Sequence, residues 1–307
     1  MKIEKLPVGI RFFRSGLDFS PFTFHLSPFT FRLSPFAFHL SPFTLNNSPI
    51  GIYDSGLGGL TVWREVRRAL PGESLVYLGD GKNCPYGSRP REEIVRLADE
   101  AVAALVARGC KLVVVACNTA TAAAIDFLRA KYASLPIVGM EPAVKPACLA
   151  TRSGVVGVLA TERSLDGDLF RRTAARYGEG IEVVAVPGRG FVEAVEADRE
   201  ETPETEELVR RAVAPMLERG ADQIVLGCTH YPFLLPVLQR VVGGRGVAIV
   251  DPSPAVARRV AELLDRFGLR APAGHAPGYE FLSFAGEEYR SHLEQKAMDA
   301  FRRVAGS

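Results

Sequence analysis

The chain has 307 residues, of which 47% are hydrophobic, and its 37 Lys and Arg residues nearly balance 35 Asp and Glu residues to a net charge of +2. This composition is typical of a globular protein and argues against a nucleic-acid-binding surface, and no hydrophobic run approaches the roughly 20 residues of a membrane span. The five cysteines are odd in number and lack the spacing of a disulfide framework, so we expect reduced thiols in a cytoplasmic protein with no membrane or direct nucleic-acid partner.

Residues 1–48 follow a pattern of their own, because Ser-Pro-Phe recurs every seven residues at Ser20, Ser27, Ser34 and Ser41. Prolines at this spacing prevent a continuous helix. The segment also lacks the uninterrupted hydrophobic core and cleavage site of a secretory signal. We predict a disordered or spuriously translated tail, with an amphipathic docking segment as the alternative.

A predicted first strand over residues 49–53 runs into Asp54-Ser55-Gly56-Leu57-Gly58-Gly59, ahead of a predicted helix over residues 60–70. Glycines at a helix N-terminus let the backbone approach an anionic ligand, whereas an Asp or Ser that caps the helix from a tight turn is the structural alternative. The motif matches neither GxGxxG nor GK[ST], so we do not expect nucleotide phosphate binding.

The following elements lead to a cysteine at the end of a buried strand. A strand over residues 74–78 enters a turn-rich loop, residues 79–87, which is long enough to cover a cleft. A hydrophobic, mostly β-branched run then stops at Cys117, and Asn118 and Thr119 follow as helix caps or ligand donors. Helices are predicted over residues 91–108 and 119–132.

The second half of the chain repeats this plan. Strands are predicted over residues 154–160, 181–186 and 223–226, and helices over residues 165–177, 203–219 and 255–267. The Glu-rich run over residues 193–207 is most simply a solvated face, although Glu193 or Glu196 could reach a cleft from the turn before it.

An internal repeat organises these elements. Residues 111–119 and 222–230 share one pattern that includes Cys117 and Cys228, with an Arg-Gly pair at the same distance before each cysteine. Residues 49–55 also align with 155–161, and residues 136–144 with 247–256. We therefore predict an α/β fold of two pseudo-symmetric, doubly wound half-domains with mainly parallel sheets and an active site in the cleft between them. The predicted boundaries are 49–147 plus about 257–307 for the first half-domain and 148–256 for the second.

The two halves differ beside their cysteines. Asp54 aligns with Ala160, and His230 aligns with Thr119, so each cysteine could have its own helper: Asp54 for Cys117 and His230 for Cys228. Inverting a stereocentre by proton transfer requires one base on each face of the carbon. A thiol suits this role, because a helix N-terminus or a neighbouring protonated histidine can lower its pKa.

Other interpretations of these cysteines remain. A lone cysteine at a strand end is more often a packing residue, although two at equivalent repeat positions favour function. Cys117, Cys228 and His230 could form a Cys₂His zinc site, but no paired-ligand spacing supports it, so we expect no metal. We interpret the remaining cysteines as structural or incidental: Cys84, Cys110 and Cys148.

Four motifs, in order, resemble glutamate racemases of the cofactor-independent aspartate/glutamate racemase superfamily. They are Asp54-Ser55-Gly56-Leu57-Gly58-Gly59, Pro85-Tyr86-Gly87, Ala116-Cys117-Asn118-Thr119-Ala120 and Gly227-Cys228-Thr229-His230-Tyr231-Pro232. The resemblance runs over about residues 49–269. It implies an isomerase that interconverts L- and D-glutamate for peptidoglycan synthesis without pyridoxal phosphate or another cofactor.

The resemblance also implies roles for particular residues. Cys117 and Cys228 would transfer the proton, assisted by Asp54 and His230, and Glu196 would match a further catalytic glutamate of the family. The implied substrate-binding residues are Asp54, Ser55, Pro85, Tyr86, Gly87, Asn118, Thr119, Thr229 and His230. The turn at residues 186–191 departs from the family pattern, which leaves open whether Glu193 or Glu196 reaches the cleft.

Two rival functions stay open at this point. One is a racemase for aspartate or a hydantoin, and the other is a two-lobed glutamate-binding or interaction protein without catalysis. We expect a homodimer, and an interaction with gyrase is a further expectation that follows from the resemblance.

Overall fold

Two parallel β-sheets form the framework of the described part of the chain, which in this computed structural model comprises residues 46–141, 143–178 and 180–305. The tail predicted over residues 1–48 falls outside the described residues except for 46–48. No helix among the described residues is long and hydrophobic enough to cross a membrane.

The first sheet has the strand order β4-β3-β1-β2-β9, with all neighbours parallel. Its strands are β1 (Ile50–Asp54), β2 (Leu75–Gly79), β3 (Leu112–Val115), β4 (Ile137–Gly139) and β9 (Tyr279–Ser283). Every residue of β1, β2 and β3 is buried, because helices cover both faces of the sheet.

The second sheet has the order β6-β5-β7-β8 and is also parallel. Its strands are β5 (Val155–Ala160), β6 (Glu182–Pro187), β7 (Gln223–Gly227) and β8 (Ala248–Val250). The predicted α/β class with two mainly parallel sheets is confirmed.

Helices connect successive strands. They are α1 (Leu60–Ala69), α2 (Arg91–Ala107), α3 (Asn118–Lys131), α4 (Val144–Ala150), α5 (Glu162–Asp166), α6 (Asp168–Tyr177), α7 (Phe191–Glu196), α8 (Pro203–Glu218), α9 (Leu235–Val242), α10 (Ser253–Phe267) and α11 (Glu287–Ala305), with a 3-10 helix over Tyr231–Leu234. The helix predicted over residues 165–177 is two helices, because the chain adopts an extended conformation at Gly167.

The end of the chain returns to the first sheet. Strand β9 pairs with β2, and Leu293 and Ala297 of α11 are fully buried in the same hydrophobic core as Trp63 of α1. This pairing supports the proposed half-domain that joins residues 49–147 to the C-terminal segment. The proposed boundary near 257 lies inside α10.

Parallel strands bring their carboxyl ends to one edge of each sheet, which determines where the functional side chains lie. In the first sheet, β1 and β3 are neighbours, so Asp54 at the end of β1 lies next to the segment after β3 that contains Cys117. In the second, β5 and β7 are neighbours, and Thr161 and Cys228 follow them.

A buried ion pair between Lys111 and Glu73 lies at the opposite edge of the first sheet. Lys111 Nζ donates to Glu73 Oε2 at 2.6 Å and to the Asn46 carbonyl at 2.7 Å, while Glu73 Oε1 accepts from the Ala271 amide at 2.9 Å. Neither side chain of the ion pair is more than 4% exposed.

We predict that Lys111→Met lowers the free energy of unfolding by about 3–5 kcal/mol, because it leaves the buried Glu73 carboxylate without its charge partner. The double variant Lys111→Met/Glu73→Leu should recover most of this loss. Urea unfolding tests both, with Arg96→Met, which breaks an exposed ion pair with Glu100, as the matched control. An equal loss in the single and double variants would contradict the prediction.

Candidate active site

Both cysteines line one cavity of about 150 Å³ at the carboxyl ends of the strands. Cys117 is 5% exposed and Cys228 is 7% exposed. The cavity brings together most of the residues predicted from the sequence: Ser55, Pro85, Tyr86, Gly87, Cys117, Asn118, Thr119, Cys228, Thr229 and His230. Asp54 and Glu196 are not among the lining residues and contact the site from behind.

Cys117 is the N-cap residue of α3, where its sulfur accepts a hydrogen bond from the Ala120 amide at 3.4 Å and donates to Ser55 Oγ at 3.5 Å. The sequence led us to expect a lowered thiol pKa at this helix N-terminus. In the structure, burial and the charge of Asp54 outweigh these hydrogen bonds and raise the pKa of Cys117 to about 12. Cys117 is therefore a neutral thiol in the ligand-free protein at neutral pH.

Cys228 begins a chain of contacts through His230 to Glu196. The Cys228 sulfur lies 3.8 Å from His230 Nδ1, and His230 Nε2 lies 2.6 Å from Glu196 Oε1. Burial lowers the pKa of His230, but hydrogen bonds to Cys228, Cys84 and Glu196 raise it well above its usual value. Burial raises the pKa of Glu196, but the hydrogen bond and charge of His230 bring it down to about 2. The pair is consequently an imidazolium beside a carboxylate.

Asp54 is fully buried and connects the two halves of the site. Its carboxylate accepts hydrogen bonds from the Gly56 amide and from the Thr229 hydroxyl, each at 2.9 Å. Burial raises the pKa of Asp54, and the positive charge of His230 opposes this. Asp54 therefore acts on Cys117, its predicted partner, through its charge. The side chain that donates a hydrogen bond to Asp54 is that of Thr229.

Two glycines of the first motif make room for these side chains. A Cβ atom on Gly56 would lie 2.1 Å from Glu196 Oε1, and one on Gly58 would lie 2.3 Å from His230 Nδ1. The predicted alternative, in which Asp54 or Ser55 caps α1, is wrong, because the N-cap residue is Gly59. The glycines are needed for the close approach of Glu196 and His230.

Asn118 presents unsatisfied polar atoms to the cavity. Its side-chain amide oxygen and nitrogen are both buried and have no hydrogen-bond partner among the described residues. Buried polar groups in native proteins are normally paired. Asn118 can therefore donate to and accept from a polar ligand in this cavity.

Helix α7 places both candidate glutamates at the site. Glu193 lines the cavity, whereas Glu196 holds His230 from behind. The prediction that residues 193–207 form a solvated face is wrong at Ala194 and Val195, which are buried, and at Glu196, which contacts His230. Glu193 itself is exposed. The prediction fits the beginning of α8, where Glu204 and Glu207 are exposed.

Sequence reasoning missed two neighbours of Glu196. Cys84 Sγ donates to Glu196 Oε1 at 3.6 Å, and Tyr289 Oη donates to Glu196 Oε2 at 2.6 Å. The position of Cys84 directly before Pro85-Tyr86-Gly87 could have indicated its role. No sequence signal identified Tyr289, which reaches the site from the last helix. Cys110 and Cys148 are buried away from the cavity, in hydrophobic clusters.

Cys84, Glu196 and His230 also form the one group among the described residues that could ligate a metal ion, with ligand atoms within 4.8 Å of one another. The zinc ligands considered from the sequence, Cys117 with Cys228 and His230, form no such group there. Hydrogen bonds already join Glu196 to Cys84 and His230, so we interpret the group as a hydrogen-bonded cluster beside Cys228.

Comparison with known proteins gives consistent results. Residues 58–260 match the family described as Asp/Glu/Hydantoin racemase. The glutamate racemase of Roseiflexus sp. (strain RS-1) is 54% identical over 217 residues, which cover 71% of this chain and 79% of that protein.

Solved structures of glutamate racemases are similar over most of their length. The Francisella tularensis protein in complex with D-glutamate has a TM-score of 0.73 and 25% identity, covering 83% of this chain and 94% of that chain. The Escherichia coli protein in complex with L-glutamate has a TM-score of 0.71 and 32% identity, covering 81% of this chain and 95% of that chain.

The paired charges of Glu196 and His230 predict how stability depends on pH. The pKa of Glu196 is lowered to about 2, so its contribution is complete above its ordinary value and is lost as the pH falls. The pKa of His230 is raised, so its contribution is complete below its ordinary value and is lost as the pH rises from there through the raised value. The contribution of the pair is therefore complete from about pH 4.5 to about pH 6.5 and decreases on either side.

We predict that Glu196→Gln is less stable than the wild type by about 2–3 kcal/mol near pH 6, because a hydrogen-bonded charge is lost. The gap should narrow steadily below about pH 4.5, because the unfolded wild-type chain binds a proton at Glu196 near its ordinary pKa, whereas the folded protein does so only near pH 2. Urea unfolding across this range measures it, with Glu182→Gln as an exposed control. A gap that stays constant down to about pH 2.5 would show that Glu196 is not the titrating group.

Proposed function

Because this chain belongs to the Asp/Glu/hydantoin racemase family and is therefore an isomerase, we propose that it interconverts L-glutamate and D-glutamate by proton transfer at Cα between Cys117 and Cys228. The similarity to glutamate racemases confirms the resemblance that the four motifs indicate. The observation that carries the mechanism is the single cavity lined by two cysteines from equivalent strand ends of the two sheets.

Two cysteines from opposite sheets provide what a racemisation requires. One thiolate removes the α proton from one face of glutamate, and the thiol of the other cysteine returns a proton to the opposite face. The product leaves with inverted configuration, and the two cysteines have exchanged protonation states. The reverse reaction then starts from the exchanged state.

The two sulfurs have different charged neighbours. Cys117 retains its proton because burial and the carboxylate of Asp54 raise its pKa, whereas the imidazolium of His230 lies beside Cys228. In the direction that begins with a Cys117 thiolate, the substrate ammonium group supplies a positive charge that lowers the pKa of the Cys117 thiol. Asp54 lies behind the cavity wall and would act on that ammonium group through its charge.

Hydroxyl and amide groups around the cavity would bind the carboxylates and stabilise the carbanion-like state. Asn118 has unsatisfied donor and acceptor atoms, and the side chains of Ser55, Thr119 and Thr229 also lie at the wall. Preorganised donors in a water-excluded site are an effective means of stabilising developing negative charge. This arrangement supports a reaction that uses no electron-withdrawing cofactor.

The relatives support glutamate as the substrate, since one was solved with D-glutamate and another with L-glutamate. We further propose that the D-glutamate supplies peptidoglycan synthesis. The expected cytoplasmic location, homodimer and gyrase interaction stay predictions.

The decisive experiment incubates the protein with L-glutamate in D₂O, without added cofactor, and follows chirality and deuterium at Cα. We expect racemisation with deuterium gain, and a loss of at least about 100-fold in Cys117→Ser and in Cys228→Ser, because each removes a proton-transfer group. Cys148→Ser is the control, since Cys148 lies outside the cavity.

Two outcomes would contradict the proposal in different ways. Full activity in either active-site variant would exclude the two-cysteine mechanism. Exchange with aspartate or a hydantoin, but not with glutamate, would assign a different substrate within the family.

A further inference from the structure

Helix α11 belongs to the first half of the fold by its packing. Leu293 and Ala297 are fully buried in the core that contains α1 and β2. The partly buried Met298 and Phe301 pack against the same core. The helix is thus anchored to the first sheet.

One face of α11 reaches the second half. Tyr289, His292 and Lys296 are spaced three and four residues apart, so they project from the same face. His292 Nε2 lies 2.9 Å from Asp198 Oδ2, and Lys296 Nζ donates to Glu200 Oε1 at 2.6 Å and to the Val195 carbonyl at 3.2 Å. The helix therefore holds α7 and the turn after it.

Tyr289 is the residue of this face that contacts Glu196, the hydrogen-bond partner of His230. Its hydroxyl donates to Glu196 Oε2 at 2.6 Å, while Glu196 Oε1 accepts from the Leu57 amide at 2.7 Å and faces His230. The two oxygens of the carboxylate are thus held by different neighbours. This arrangement defines the plane of the carboxylate and, through it, the orientation of the imidazole ring beside Cys228.

We propose that Tyr289 is a positioning residue for racemisation, whose hydroxyl orients Glu196 so that His230 lies correctly beside Cys228. The inference rests on the proposed function, because it concerns the efficiency of proton transfer at Cys228. Tyr289 does not line the cavity and acts through Glu196 and His230. The hydroxyl also helps to lower the pKa of Glu196, after the larger effects of burial, which raises it, and of His230, which lowers it.

The test is Tyr289→Phe, which removes the hydroxyl and keeps the ring. We expect kcat/KM to fall roughly tenfold, because a small displacement of a catalytic group slows proton transfer. The fall must be equal for L- and D-glutamate, since the two enantiomers have equal free energies in solution. The matched control is Tyr132→Phe, which removes a similar hydrogen bond, from Tyr132 to Asp99, far from the site.

Kinetic isotope effects separate positioning from a general loss of structure. If proton transfer at Cys228 slows, the isotope effect of α-deuterated substrate rises for the enantiomer that Cys228 deprotonates. It falls for the other enantiomer, because reprotonation by Cys228 becomes rate-limiting. A purely structural defect would lower the rates and leave both isotope effects unchanged, and that result would overturn the proposal.

A double variant makes the test independent of folding. Tyr289→Phe in a Glu196→Gln background should lower the rate less than twofold further, because the positioned carboxylate is already absent. An additional tenfold loss there, or wild-type kinetics in Tyr289→Phe alone, would overturn the proposal. If the wild type did not racemise glutamate, the proposed function itself would fail, so the two failures are distinguishable.

Discussion

The contact of 2.6 Å between His230 Nε2 and Glu196 Oε1 connects the catalytic chemistry to the packing of both halves. A buried charged pair is stable only when further hydrogen bonds compensate for the lost water. The Leu57 amide from the first half and the Tyr289 hydroxyl from the last helix supply them. The same contacts that stabilise the charges therefore hold the two walls of the cavity together, and Gly56 must lack a side chain for them to form.

The two cysteines have different charged groups beside their sulfur atoms. The carboxylate of Asp54 and burial keep the Cys117 thiol protonated, whereas the cationic His230 lies beside Cys228. The proposed two-base reaction needs one thiol and one thiolate at the same time. Different charged neighbours in the two halves distinguish the two sulfurs before the substrate binds.

The sequence predicted most of the fold, because the signals for strands, helices and turns are local, and the family resemblance supplied most of the cavity lining. Buried β-branched runs that end at Cys117 and Cys228 identify strands, and the repeat places both residues at equivalent sheet edges. Tyr289 and Cys84 were missed, because their role comes from tertiary packing against Glu196, which is distant in sequence. The space that Gly56 and Gly58 leave for Glu196 and His230 was missed for the same reason.

The internal repeat explains how such an asymmetric site arises from two similar halves. Thr119 contacts Thr161 at 3.0 Å across the cleft, and the aligned residues His230 and Ser55 lie across the same cleft, on the lining of the cavity. The Thr119–Thr161 pair consists of two neutral hydroxyls, whereas the corresponding pair of His230 and Ser55 includes a cation held by Glu196. Asp54 is then the charged neighbour of Cys117, and His230 is that of Cys228. Replacements at aligned positions therefore give the two sulfurs different charged neighbours within the same fold.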